Sequence, residues 1–160
     1  MKHLYTEIEI DAPVERVWDV FFDVENYPSW NPFIKSFKGQ IERGKKFHVT
    51  IQTPGSPPMH FNPRCLKLDK PYELRWLGRL FIPRLFDGEH IFELKALVGN
   101  KTRFVQREKF KGILVPFLWG GLKSKTKKGF VLMNQKLKEL VENRTKEIKS
   151  IQSPDMELTV

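Results

Sequence analysis

"LKSKTKKGFVLMNQKLKELV" (122–141) carries apolar or small residues at Leu122, Thr126, Phe130, Met133, Leu137, Leu140 and Val141. Steps of three and four, at about 100° per residue, collapse onto one stripe of an α-helix. Lys125, Lys127, Lys128 and Lys138 fall on the margins and back of that stripe. The spacing predicts a long amphipathic helix that begins near Pro116 or just after Gly120-Gly121. A helix with one apolar face has to bury it, and the chain upstream supplies the surface.

That upstream chain reads mostly with a period of two. "HLYTEIEI" (3–10) sets Leu4, Thr6, Ile8 and Ile10 against Tyr5, Glu7 and Glu9, the pattern of a half-exposed strand. Asp11 is placed to cap a helix with Pro13 in its first turn, and Val14, Val17, Trp18 and Phe21 give that helix an apolar face. "NYPSWNPFI" (26–34) then brings Tyr27, Trp30 and Phe33 onto a connection that Pro28 and Pro32 keep irregular. "FIKSFKGQIE" (33–42) and "KFHVTIQT" (46–53) read as strands about a turn at Arg43-Gly44-Lys45, and "TPGSPP" (53–58) as a loop. In "MHFNPRCLKL" (59–68) the apolar parity changes, and a bulge at Pro63 would restore one face and leave Cys65 pointing outward. "YELRWLGRL" (72–80), "EHIFELKAL" (89–97) and "TRFVQREKF" (102–110) complete the strands, with turns expected at Asp87-Gly88 and around Gly99-Asn100.

One strand, a short helical region, about six strands and one long helix make an α+β chain. Its curved antiparallel sheet wraps around the C-terminal helix. Residues 1–145 are expected to form one domain, and 146–160 a frayed tail.

Composition narrows the function. The 160 residues carry a net charge of +9, and Lys123–Lys149 holds nine Lys or Arg against three Glu. That segment is either a solvated helix face or a contact for an anionic surface, with a weak anionic-membrane contact ahead of nucleic acid. Cys65 is alone, so no internal disulfide forms and a reducing, cytoplasmic setting is expected. No stretch has the pattern of a signal peptide, and the longest apolar run, "ILVPFLWGGL" (113–122), is short for a bilayer span. Metal-ligand spacings, phosphate-binding glycine loops and glycine-flanked serine nucleophiles are missing, so no metal or cofactor is expected. His48 and His60 fall on the polar sides of their strands.

Two features point to a site between helix and sheet. Gly129 costs about 1 kcal/mol against alanine inside a helix; it either leaves space beneath the helix, or marks a fraying point or a close helix–sheet contact. If Gly99-Asn100-Lys101 forms a three-residue loop, Ala96 faces Phe104, Leu94 faces Gln106, Phe92 faces Glu108 and His90 faces Phe110. All eight then share the concave face. Glu108 there must pair with an arginine, pair with His90, or titrate upward. Glu108 is a structural partner or, with His90, an acid–base candidate.

The segments "IDAPVERVWDVFFDVENYPSWNPFI", "LRWLGRL…FDGEHIFEL", "TRFVQREKFKGILVPFL" and "GFVLMNQKLKELVE" together resemble the SRPBCC superfamily, the START-like and birch-pollen-allergen-like helix-grip proteins. The likeness runs from about Leu4 to Val141 and is nearest the polyketide cyclase/dehydrase-like branch. It implies a helix-grip fold with two short helices after the first strand, and an apolar cavity under the long helix. It would put Trp30, Asn31 and Phe33 at the entrance, and Trp76, Phe92, Phe104, Gln106 and Glu108 in the interior. Phe130, Met133 and Leu137 would form the lid, and Phe47 and Phe61 join the ligand-binding set. Trp30 either caps the cavity or plugs the core. The implied function is binding of a lipid, isoprenoid, quinone or polyketide-like molecule. The alternative is a cyclase, dehydratase or isomerase using Glu108 and His90. Oligomeric state is left open.

Overall fold

Alternation along the first and last strands brings the two ends of the sheet-forming chain together. β1 (Lys2–Ile10) pairs antiparallel with β8 (Lys101–Lys111), so that Leu4 faces Glu108, Thr6 faces Gln106 and Ile8 faces Phe104. The computed structural model describes residues 1–80 and 82–152. After β1 come α1 (Val14–Phe22), one 3₁₀ turn (Val24–Asn26) and α2 (Tyr27–Trp30). The strands β2 (Ile34–Lys38), β3 (His48–Ile51), β4 (Met59–Phe61), β5 (Arg64–Asp69), β6 (Glu73–Leu80) and β7 (Phe86–Leu97) follow. After β8, α3 (Val115–Gln152) closes the chain.

The strands form a five-stranded sheet, β1-β8-β7-β6-β5, and a three-stranded sheet, β2-β3-β4, both antiparallel. A single bridge between Lys46 and Arg64 joins them. The curved surface they make grips α3, the helix-grip arrangement. Helix α3 runs to Gln152, past the boundary expected at 145; the rest of the expected tail, 153–160, lies outside the described residues.

Several local expectations change. Asp11 does not cap α1: Pro13 occupies that position without a side-chain bond, and the Asp11 N–H donates to Glu142 Oε1 at 2.8 Å. Asp87-Gly88 is not a turn. The turn falls earlier, where Arg84 adopts a φ of 69°, and β7 runs straight through Gly88. The bulge of β5 lies between Cys65 and Lys67 rather than at Pro63, so Cys65 turns inward opposite Trp76 and is buried. Burial raises the Cys65 thiol pKa, which suits an inert side chain.

The β7–β8 loop begins one residue early, with Leu97 paired to Lys101. Every partner therefore moves by two. Leu94 faces Phe104, Phe92 faces Gln106, His90 faces Glu108 and Gly88 faces Phe110. A shift of two preserves parity, so these residues still share the concave face.

Gly129 resolves as a close contact. A Cβ there would lie 2.4 Å from Phe33 Cδ2, so the missing side chain admits the Phe33 ring edge against the helix. That ring meets Phe130 edge-on at 5.2 Å. Gly129→Ala is therefore expected to lower unfolding stability by about 1–3 kcal/mol in chemical denaturation, despite alanine's better helix propensity. Adding Phe33→Leu should recover part of the loss; a Gly129→Ala variant as stable as wild type would refute the tight contact.

Candidate functional site

Helix α3 fills the curved surface over only part of its length. Phe130, Met133, Leu137 and Val141 are fully buried against sheet and α1. Toward the helix N-terminus, Leu118, Leu122 and Thr126 instead roof a cavity of about 170 Å³. Val49, Ile51, Met59 and Phe61 of the small sheet, with Phe33, form one wall. Trp76, Phe86, His90, Glu108 and Phe110 of the large sheet form the other.

The floor is open because two strands lack side chains there. Gly78 of β6 and Gly88 of β7 are ladder partners, and both line the cavity. A Cβ at 88 would lie 2.6 Å from Glu108 Oε1, so glycine at that point seats the Glu108 carboxyl. Leu118 is both a roof residue and 47% exposed, which marks the side where the cavity meets solvent.

A polar chain runs under the cavity. His90, 1% exposed, stacks on Phe92 (ring centroids 4.0 Å) and Phe130 (4.7 Å). Its Nε2 lies 3.1 Å from Gln106 Oε1, an oxygen that only accepts, so the proton is on Nε2. Gln106 Nε2 donates to Asn134 Oδ1 at 2.6 Å, and Asn134 Nδ2 donates to Thr6 Oγ1 at 3.2 Å. Burial depresses the His90 pKa to about 3, which keeps the ring neutral and aromatic in character.

Glu108 is different. Its ladder neighbours are Leu4 and His90, and strand parity sends Arg107 and Lys109 to the other face, where Arg107 meets Glu93. No hydrogen bond or ion pair holds the Glu108 carboxyl among the described residues. Burial alone pushes its pKa up to about 8. Glu108 is half-buried and lines the cavity, and with its pKa up at about 8 it is a protonated acid at neutral pH with its O–H available there. Of the three fates open to Glu108, pairing with an arginine or with His90 is not found among the described residues, which leaves a pKa pushed upward by burial.

Of the residues assigned to ligand contact from sequence, Phe33, Phe61, Trp76 and Glu108 lie on the cavity wall, joined by His90. Phe47, Phe92, Phe104, Gln106, Phe130, Met133 and Leu137 are buried in the core and do not line the cavity; Phe47, Phe92 and Phe130 pack behind its wall against Trp76 or His90. Trp30 is half-buried against Tyr27 outside the cavity. It is Tyr27 that plugs the core, donating its hydroxyl to Phe21 O at 2.7 Å. Asn31 serves the backbone, its Oδ1 accepting from Phe33 N (2.9 Å) and Ile34 N (2.8 Å). Asn134, which accepts from Gln106, and Thr6, which accepts in turn from Asn134, were missed as members of this chain. Asn134 follows Phe130 by one helical turn, the signal that could have found it.

Residues 1–142 match the family described as polyketide cyclase / dehydrase and lipid transport. No curated protein matches the chain. Among solved structures, the Zhui aromatase/cyclase of Streptomyces sp. R1128 aligns with a TM-score of 0.73 at 15% identity, covering 90% of this chain and 95% of that one. A point mutant of norcoclaurine synthase from Thalictrum, in complex with a transition-state analogue, aligns at 0.70 with 13% identity over 90% and 96%. A START superfamily protein from Mycobacterium smegmatis aligns at 0.68 with 17% identity over 89% and 98%. At these identities the likeness is one of fold.

Glu108 gives a signed pH prediction. Its carboxyl ordinarily titrates near 4.5 and here near 8, so between those values the native state keeps a proton that the unfolded chain releases. Stability then falls as pH rises through that window and levels above it. Glu108→Gln removes this dependence. The variant's stability relative to wild type should climb from pH ~5 to pH ~8, reaching about 2–4 kcal/mol after allowance for water entering through the cavity. His90 has the opposite slope between about 3 and 6.5, but it is present in both proteins and cancels. A difference in denaturation free energy that is flat with pH would contradict a buried, protonated Glu108.

Proposed function

The chain belongs to the polyketide cyclase / dehydrase and lipid transport family, and from that premise we propose that it binds one apolar small molecule in the cavity under the first half of α3. Lipid, isoprenoid, quinone and polyketide-like aromatic molecules fall within that class. The observation that carries this reading is a wall of aromatic and aliphatic side chains with one unpartnered carboxylic acid, Glu108, at its edge. Apolar walls with few placed polar groups are the usual composition of small-molecule sites.

An apolar cavity of ~150 Å³ takes benzene. A cavity of about 170 Å³ therefore accommodates one ring of a ligand, and a longer molecule extends past Leu118. Glu108 would donate to a ketone, quinone or phenol oxygen on that ring. Orientation comes from this one bond, and most of the affinity from the apolar surface removed from water.

A second reading has one observation in its favour. A carboxylic acid kept protonated near neutral pH beside a cavity is in the state required of a general acid. In that reading Glu108 protonates a bound carbonyl during a cyclisation, dehydration or isomerisation. His90 Nε2 is committed to Gln106, so His90 would position groups rather than carry protons.

Small molecules extracted from gently purified protein and identified by mass spectrometry should include an apolar, oxygen-bearing species. Titration with 2-acetonaphthone should give an affinity that drops at least tenfold as pH rises through about 8, while naphthalene binding stays level. Glu108→Gln, whose amide still donates, should bind the ketone without pH dependence. Absence of binding by either probe would overturn the cavity reading. If wild-type protein alters the extracted ligand chemically and Glu108→Gln does not, the enzymatic reading replaces simple binding.

A further inference from the structure

Four of the nine large apolar side chains left in solvent among the described residues lie together at one end of the molecule. Phe117 is 82% exposed, Ile113 70%, Ile82 64% and Leu118 47%. They come from two turns that the backbone ties together: Ile113 N donates to Arg84 O at 3.1 Å, and Leu114 N to Leu85 O at 3.2 Å. Gly112 makes this junction, since a Cβ there would lie 2.4 Å from Leu85 O. The tips are therefore held in place.

The charge beside them has one sign. From Lys111 to Lys138 the chain has no Asp or Glu. On the outer face of α3, Lys128 and Val131 continue the line of Phe117 at 100° per residue, above a shallow groove floored by Gly120 and Ser124. Lys123, Lys127 and Lys128 border that groove, exposed and without an acidic partner among the described residues. Lysines midway along the helix behave differently, for Lys136 pairs with Glu139 and Lys138 with Glu142.

We propose that this end of the molecule, the β6–β7 and β8–α3 turns with the outer face of the first turns of α3, docks on an anionic lipid bilayer. Projecting apolar tips from separate turns enter the acyl boundary without needing a complementary pocket, and unpaired lysines behind them meet lipid headgroups. A protein partner would have to supply a matching cavity for each tip and acids for the lysines. Leu118 belongs to both the exposed tip and the cavity roof, so docking would bring the cavity mouth to the bilayer surface. The docking itself goes beyond the ligand reading and does not depend on what the cavity holds.

The test uses the full chain with phosphatidylglycerol and phosphatidylcholine vesicles in co-sedimentation. Binding is expected on phosphatidylglycerol alone, and a steep loss when salt is raised. The double variant Ile113→Asp/Phe117→Asp, which changes two exposed side chains outside the cavity wall, should bind at least tenfold more weakly. The triple variant Lys123→Gln/Lys127→Gln/Lys128→Gln should lose most of the phosphatidylglycerol preference. Thermal unfolding and 2-acetonaphthone affinity of the double variant should match wild type, separating docking from the cavity. No vesicle binding by wild type, or wild-type binding by the double variant, overturns the proposal. So does a concentration-dependent dimer that the double variant dissociates, which would make the same end a contact between copies.

Discussion

The Gln106 side-chain amide fixes the helix to the sheet. It joins four elements at once: His90 of β7, its own strand β8, Asn134 of α3 and, through Asn134, Thr6 of β1. The hub is buried, so a group left unpaired there would cost about 1–3 kcal/mol. A one-residue slip of β8 would turn Gln106 to the outer face. A one-residue rotation of α3 would swing Asn134 by about 100°. The hub therefore sets strand register and helix phase together, and both must be right before a cavity can have a defined shape.

With the phase fixed, side-chain size decides where space is left. Along α3 from Phe130 toward the C-terminus, Phe130, Met133, Leu137 and Val141 pack with Phe92, Phe104 and Leu94 in one buried cluster. On the other side, Thr126 and Leu122 look down on Gly78 and Gly88. Two facing glycines in adjacent strands remove the sheet's half of the packing. Phe33, pressed into the notch at Gly129, walls the space off on one flank. His90 forms the partition, with Phe92 and Phe130 stacked on its faces and the cavity at its edge. A neutral imidazole suits this place because it is flat enough to stack and polar enough to bind Gln106.

Much of this was legible in the sequence, and what was not has physical causes. Period-two alternation put His90, Phe92, Gln106 and Glu108 on one face, and the face survived although the loop moved by one residue. Register was less legible, because alternation is blind to a shift of two. Gly88 was misread because an Asp-Gly pair is a turn signal when nothing shows that Glu108 needs the room. Periodicity says which residues point inward, never how closely they meet. For this reason Phe104, Phe130 and Leu137 carried the same signal as Phe61 and Trp76, yet the first three pack solid and the last two border space. Trp30 and Tyr27 lie three residues apart on α2, and the core-plugging role weighed for Trp30 falls to Tyr27, which has a carbonyl within reach of its hydroxyl and could be buried whole.

Glu108, set in a largely apolar wall, also couples ligand and proton. A ligand oxygen that accepts from Glu108 stabilises the protonated acid, so binding raises the Glu108 pKa further; by linkage, protonation strengthens binding by the same factor. The coupling is specific to acceptors, since a hydrocarbon gains nothing from the O–H. It also has a natural limit. Above about 8 the acid has lost its proton, and the bond it gives a ligand oxygen is lost with it. On the proposed reading, the wall selects apolar contents with an oxygen at one place and leaves the rest of the molecule undetermined. That is how one helix-grip scaffold can serve different chemistries through changes at a few wall positions.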